Sequence, residues 1–138
     1  MSARDSRNRM HVNEITEQVI GAAIEVHREL GPGLLESTYE ECLARELALR
    51  QIPFERQRSV PLTYKGAAVD VGFRVDMVVA DRVLVELKAV ESILPIHEAQ
   101  VLTYLKLARL HLGLLINFNV KLLTDGVRRL VVGPAPPD

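Results

Sequence analysis

Apolar positions at helical spacing dominate the first third of the chain. Over Val12–Leu30 they recur every three or four residues, which predicts a helix that Asn13 or Thr16 would cap at its start. The Gly-Pro-Gly turn at residues 31–33 ends this helix, because glycine accepts left-handed backbone and proline cannot continue the ladder. A second helix is predicted over Leu35–Arg50, and the short turn between the two predicts an antiparallel pair.

Strand-like alternation replaces the helical pattern after Pro53. A first strand is predicted over Arg56–Tyr64, where Pro61 favours a sheet edge or a bulge because it cannot donate to the ladder. A turn at Lys65–Gly66 follows. The remaining predicted elements are two strands, a helix that Pro95 precedes and two final strands: Val69–Val79, Val83–Leu87, Ile96–Leu110, Leu112–Val120 and Val127–Val132. The order ααβββαββ predicts an α/β (α+β) domain in which helices pack on a sheet.

One folded unit is expected to account for nearly the whole chain. A length of 138 residues fits one domain and leaves little room for a second. The predicted domain spans residues 13–132, between an N-terminal arm (residues 1–12) and a tail (residues 133–138) that are both expected to be flexible. Aromatic residues make up 4% of the chain, so the core is expected to consist of aliphatic side chains.

Charge and cysteine content exclude some classes of protein. A net charge of −1 excludes a protein that coats nucleic acid through bulk electrostatics. No apolar run is long enough to cross a bilayer and none resembles a signal peptide, so we expect no membrane association. Cys42 has no partner cysteine within the chain, which predicts a reducing, cytoplasmic location.

Three charged side chains lie on the polar sides of two neighbouring predicted strands. Glu86 and Lys88 are two residues apart and therefore point the same way from their strand. The odd-numbered residues of Val69–Val79 are expected to form one apolar face, and Asp76 points away from it. Whether the two acids meet depends on the register of the hairpin.

The length of the loop between these strands decides that register. A two-residue loop would place Asp76 and Glu86 on opposite faces of the sheet. A three-residue loop at residues 80–82 instead closes a uniform apolar face and sets Asp76 opposite Glu86, with these pairs: Val79 with Val83, Met77 with Val85 and Val75 with Leu87. Because a buried face specifies register strongly, we predict the three-residue loop.

Two opposed carboxylates repel each other unless a cation lies between them. Mg²⁺ suits such a site, because it binds one or two carboxylates and keeps several waters. Lys88 could then orient or deprotonate an attacking water, or stabilise charge on a phosphate oxygen. The alternative is a surface ladder of ion pairs that also includes Arg74, and spacing alone favours this ladder.

Polar residues on two helices support the interpretation of these charged residues as a functional site. Gln100 and Tyr104 are four residues apart on one helix face, and His97 lies on the same side. This stripe could position a phosphate or a base, although simple solvent exposure explains it equally well. Glu36 begins the second helix, where an acid is also favoured by the helix dipole alone.

A short signature connects these residues to a known family. The segment Gly33-Leu34-Leu35-Glu36-Ser37-Thr38-Tyr39 matches the signature of the GxxExxY proteins, which resemble the PD-(D/E)XK nuclease superfamily and especially its RecB-like branch. That branch combines a helical acid, an Asp, an ExK strand and a QxxxY helix. This chain supplies them in order as Glu36, Asp76, Glu86-Leu87-Lys88 and Gln100 with Tyr104. Val75 stands where the motif name has proline.

The resemblance implies a fold, a reaction and a role for each residue. It implies a mixed β-sheet flanked by helices and hydrolysis of nucleic-acid phosphodiesters with Mg²⁺ or Mn²⁺. The implied metal ligands are Asp76, Glu86, the carbonyl of Leu87 and Glu36; Lys88 is the base or charge stabiliser; Gln100, Tyr104, Tyr39 and His97 bind substrate or support the site.

Two other functions stay open at this point. The fold could serve as a non-catalytic interaction module, in which case the acids should be splayed too far apart to share a metal ion. It could also hydrolyse a small phosphoester, which would require a closed pocket. Because the chain is small for a sequence-specific nuclease, we expect a homodimer or a partner protein to supply further contacts.

Overall fold

The computed structural model describes residues 10–136, except for the side chains of Asp70 and Val71. Its elements are α1 (Val12–Leu30), α2 (Glu36–Leu49), β1 (Phe54–Tyr64), β2 (Ala67–Val79), β3 (Val83–Lys88), α3 (Pro95–Ala108), β4 (Leu112–Asn117) and β5 (Val127–Val131). This order confirms the predicted ααβββαββ arrangement. A short 3₁₀ helix, Leu123–Gly126, precedes β5 and was not predicted. Most of the predicted N-terminal arm lies outside the described residues.

The five strands form one mixed sheet in the order β1-β2-β3-β4-β5. Strands β3 and β4 run parallel, and the other neighbours are antiparallel. A parallel pair needs a crossover, which α3 supplies between β3 and β4. Strand β1 lies at the sheet edge and its register shifts between Val60 and Leu62, so both effects predicted for Pro61 are present.

Helices cover the sheet on both faces. Helices α1 and α2 pack on one face, in a buried cluster that includes Val19, Leu43 and Val85. Helix α3 packs on the other face, where Val101 and Leu105 are buried with residues of the sheet. The polar side of the predicted hairpin is therefore covered, and the alternative, a solvent-exposed ladder of ion pairs, is not formed among residues 10–136. None of the helices in residues 10–136 is long and apolar enough to span a membrane.

The boundaries of α1 follow from local hydrogen bonds. His11 is its cap, and its Nδ1 accepts a hydrogen bond from the amide of Asn13 at 3.1 Å. The prediction of Asn13 or Thr16 as the cap was wrong, because Thr16 lies one turn inside and donates to the carbonyl of Asn13. At the other end, Gly31 adopts φ 72° and donates to the carbonyl of His27 at 2.8 Å, as the glycine turn predicted.

The regular alternation of side chains along β2 is interrupted at Asp76. Odd-numbered residues before and after Asp76 therefore point into different cores. Met77 belongs to the cluster beneath α1 and α2, whereas Val75 belongs to the cluster beneath α3. The prediction of a single apolar face over Val69–Val79 was therefore wrong. The regular pairing with β3 ends at Met77 opposite Val85, so the predicted pair of Val75 with Leu87 is not formed.

Candidate active site

A tight hairpin loop sets the two acids of the candidate site against each other. Val79 pairs with Val83 and Met77 with Val85, which confirms the three-residue loop at residues 80–82. Ala80 and Asp81 both adopt left-handed backbone, with φ 52° and φ 56°. The buried apolar face selects this loop length although neither residue is a glycine.

Asp76 and Glu86 are joined by hydrogen bonds between side chain and backbone. The amide of Asp76 donates to Oε1 of Glu86 at 2.9 Å. The amide of Leu87 donates in return to Oδ2 of Asp76 at 2.8 Å. These bonds occur where the regular β2–β3 pairing has ended. The two carboxylates thus sit at the point where the strands part, and backbone donors hold both.

Burial and mutual repulsion make this pair electrostatically strained. Glu86 is only 7% exposed, and burial together with the charge of Asp76 raises its pKa to about 8. The Asp76 amide and the positive charge of Lys88 act in the opposite direction on the pKa of Glu86. The pKa of Asp76 is also raised, mainly by burial, against the lowering effect of the Leu87 amide. The site therefore favours a bound cation or protonation.

Helix α2 begins near the same site with the exposed acid Glu36. Glu36 is the first residue of α2, and its charge raises the pKa of both Asp76 and Glu86. The Tyr39 side chain fixes the turn that precedes α2. The Tyr39 hydroxyl donates to the carbonyl of Gly31 at 2.6 Å and accepts from the amide of Leu34 at 3.1 Å. Tyr39 is fully buried, so the structure places it behind the site rather than on its surface.

A second acid of α2 belongs to the site and was missed. Glu40 is 8% exposed and accepts two hydrogen bonds from Arg56, at 3.0 and 2.8 Å. Its other oxygen accepts from Nε2 of Gln57 at 2.8 Å, and the same amide lies 3.4 Å from Oδ1 of Asp76. Glu40 lies four residues after Glu36 and so on the same helix face, a signal that could have found it.

Lys88 is the last residue of β3, and hydrogen bonds from a buried asparagine fix the backbone that follows it. The Lys88 carbonyl accepts from the amide of Phe118 at 2.9 Å. Asn117, opposite Lys88 in β4, accepts from the amide of Val90 at 3.0 Å and donates to its carbonyl at 2.9 Å. Asn117 is 2% exposed and was not predicted as a site residue. It anchors the chain immediately after Lys88.

Helix α3 brings part of the predicted polar stripe to the carboxylates. Burial and the charge of Glu86 raise the pKa of Tyr104, whereas the neighbouring Gln100 side chain lowers it. Its ring stacks on Phe73 with a centroid distance of 5.4 Å. His97 has a different contact, since its Nδ1 accepts from the amide of Leu94 at 2.9 Å and caps the helix.

The donor set fits a hard divalent cation. Asp76 and Glu86 each accept a backbone amide with one carboxylate oxygen, and Oδ1 of Asp76 has in addition the longer contact with Gln57. Carboxylate oxygens with retained waters are what Mg²⁺ prefers. Within residues 10–136, no three acidic, histidine or cysteine side chains already stand close enough to hold a metal ion. The residues therefore suit an ion bound by one or two carboxylates and water.

The fold and these residues define a nuclease-like domain. A family model of the PD-(D/E)XK nuclease superfamily matches residues 13–130, so the chain belongs to that superfamily. No curated protein and no solved structure matches the chain. Members of the superfamily generally use divalent metal ions. Membership in the GxxExxY group and in the RecB-like branch stays a prediction.

Proposed function

We propose that this domain is a metal-dependent nuclease that hydrolyses phosphodiester bonds with Mg²⁺ or Mn²⁺. Asp76 and Glu86 would ligate the ion, with a further oxygen ligand from the Leu87 carbonyl, and Glu36 would hold a water of the ion's shell. The observation that supports this most is the buried carboxylate pair, whose reciprocal hydrogen bonds keep both acids together despite their repulsion. Burial of a carboxylate is costly without a cation to compensate it.

Each residue would have a distinct part in the proposed hydrolysis. The bound ion would polarise the phosphoryl group and lower the pKa of a water. Lys88 would take the proton from the attacking water or stabilise the negative phosphate oxygens. The water oxygen bonds to phosphorus, and the bond from phosphorus to the leaving oxygen breaks as that oxygen gains a proton from solvent. Gln100 and Tyr104 would orient the phosphate by hydrogen bonds.

The site argues against a purely non-catalytic interaction module. Such a module has no need to hold two acids together, and we expected splayed acids in that case. Asp76 and Glu86 are instead bonded to each other's strands, and Glu36 and Glu40 add negative charge beside them. This concentration of acids lowers stability and is useful for holding a cation.

Cleavage assays test the proposal directly. Supercoiled plasmid, single-stranded DNA and structured RNA would be incubated with the protein in Mg²⁺ or Mn²⁺, with EDTA as the metal-free control. We expect cleavage by the wild type and by Lys121→Ala, an exposed lysine outside the site. Lys88→Ala should lose cleavage while remaining folded. Cleavage that persists in EDTA or in Lys88→Ala would refute the proposed mechanism.

A further inference from the structure

Strand β3 ends at Lys88, at the point where its parallel neighbour β4 reaches Asn117. The amide of the next residue, Phe118, still donates a hydrogen bond to the Lys88 carbonyl at 2.9 Å. Beyond these residues the two chains separate, one towards α3 and the other towards the 3₁₀ helix. The backbone that follows Lys88 therefore leaves the regular ladder of the sheet within the candidate active site.

The side chain of Asn117 takes the place of a neighbouring strand for this segment. Its Oδ1 accepts from the Val90 amide at 3.0 Å, and its Nδ2 donates to the Val90 carbonyl at 2.9 Å. A primary amide carries a donor and an acceptor side by side, so one side chain satisfies both backbone groups of a residue. Val90 lies two residues after Lys88, and the backbone is thus held on both sides of Ala89.

Burial makes Asn117 an unusual residue for its position in β4. The side chain is 2% exposed, and the preceding residues of the strand are leucine, isoleucine and glycine. A buried amide lowers stability unless it is hydrogen-bonded, and here Oδ1 also accepts from the Asn119 amide at 3.2 Å. An aliphatic residue would continue the apolar pattern of β4 if packing alone decided this position. The asparagine is therefore explained by the backbone groups that it binds.

Close packing around Asn117 joins it to the turn before α2. Gly126 lies against the Asn117 carbonyl, where a Cβ atom would clash, so only glycine fits there. The next residue, Phe118, stacks its ring on that of Tyr39 with a centroid distance of 4.4 Å. Tyr39 holds the turn before α2, whose first residue is Glu36. Asn117 and Phe118 thus contact segments that carry two residues of the proposed mechanism.

We infer that Asn117 is a positioning residue for Lys88: by holding the backbone at Val90, its side-chain amide directs the lysine towards the two carboxylates. Glu86 and Lys88 are two residues apart in β3 and so extend from the same face of the strand. The inference rests on the proposed function, in which the lysine acts on the attacking water or on a phosphate oxygen. Such a group has to be held within about 0.5 Å of its productive position. Asn117 acts on it through the backbone and does not touch the reacting atoms.

Nuclear magnetic resonance of protein labelled with ¹³C-lysine tests the orientation of Lys88 without any cleavage. The spectrum of Lys88→Ala assigns the side-chain signal, and the exposed Lys65 and Lys106 report on the fold elsewhere. In Asn117→Ala we expect the Lys88 signal to move towards that of a freely mobile lysine, while the other two signals stay unchanged. The matched control Asn119→Ala removes a longer bond of 3.4 Å to the same backbone carbonyl and should keep the wild-type spectrum.

Cleavage kinetics then show whether this orientation serves the reaction. In Asn117→Ala, kcat should fall about tenfold or more while KM and Mn²⁺ affinity stay close to wild type, because a misdirected lysine affects the transition state and not binding. Asn117→Ser keeps a hydroxyl for one bond to Val90, so it should recover part of the loss, and it is the test variant if Asn117→Ala does not fold.

Three results would overturn the inference. They are a Lys88 signal in the folded Asn117 variants that matches Asn119→Ala, a kcat that matches it, or a Mn²⁺ affinity that falls as much as kcat, which would indicate a general structural role. A wild-type protein that cleaves none of the substrates refutes the proposed function instead. The Lys88 signal alone then decides whether Asn117 orients this side chain.

Discussion

The backbone amide of Asp76 donates a hydrogen bond to the carboxylate of Glu86, the acid whose pKa burial and the charge of the Asp76 side chain raise. The Leu87 amide returns a bond to Asp76, so each acid is held by the strand of the other. This arrangement keeps two acids close although Glu86 is buried, and the positive charge of Lys88 offsets their repulsion only in part, since the pKa of Glu86 is still raised. The free energy of unfolding of the metal-free protein should therefore depend on whether Glu86 is charged.

Stability of the metal-free protein should fall as pH rises between about 4.5 and about 8. The pKa of Glu86 is raised from 4.5 to about 8, so the folded state holds more protons than the unfolded chain in this window. The loss should be on the order of 3–5 kcal/mol. Urea unfolding in EDTA at several pH values measures it. Glu86→Gln, which keeps the acceptor for the Asp76 amide, should flatten the dependence, whereas exposed Glu17→Gln should not.

Affinity for Mn²⁺ should show the opposite trend with pH. Protons compete with the metal for Glu86, so the association constant should rise towards pH 8. Asp76→Asn and Glu86→Gln should each weaken binding about tenfold or more. Calorimetry in two buffers would also detect the released protons. Unchanged Mn²⁺ affinity in both variants, compared with the exposed control Asp125→Asn, would remove these acids from the metal site.

Arg56 should contribute more to stability than its neighbour Arg58. Arg56 donates to Glu40 and Glu41, which raises its own pKa, and Glu40 is nearly buried. Arg56→Ala would leave the Glu40 charge without its main partner and should lower the free energy of unfolding by about 1–3 kcal/mol. Arg58→Ala removes longer, more exposed ion pairs and should cost about 0.5 kcal/mol or less. Equal losses in the two variants would contradict this ranking.

The sequence was informative where a buried apolar face controlled the structure. Met77, Val79, Val83 and Val85 had to share one face, and this requirement alone predicted the loop length and the approach of Asp76 to Glu86. The helix order and the edge strand followed from glycine and proline positions in the same way. The roles of the individual acids as metal ligands stay predictions, since they depend on chemistry that periodicity does not encode.

The pattern of apolar and polar positions could not predict contacts between residues that are far apart in the sequence. Gln57 adopts φ 51°, and the β1–β2 pairing skips it and Asp76 in passing from Arg56 to Arg58. Alternation cannot reveal this irregularity, so the change of face at Asp76 was not predicted. Glu40 was missed for a similar reason, because its partners Arg56 and Gln57 lie 16 and 17 residues away in β1.

Tyr104 offers a test that separates substrate contact from folding. Burial and the charge of Glu86 raise the pKa of its hydroxyl, and its ring stacks on Phe73. Tyr104→Phe keeps the ring and removes the hydroxyl, so stability and Mn²⁺ affinity should remain close to wild type. If the hydroxyl orients the phosphate, the cleavage rate should fall about tenfold, which corresponds to the loss of roughly one hydrogen bond in the transition state. The matched control is Tyr64→Phe, whose exposed ring lies at the β1–β2 turn. A Tyr104→Phe protein that cleaves as fast as the control would assign Tyr104 to packing alone, because only a contact with the reacting phosphate needs the hydroxyl.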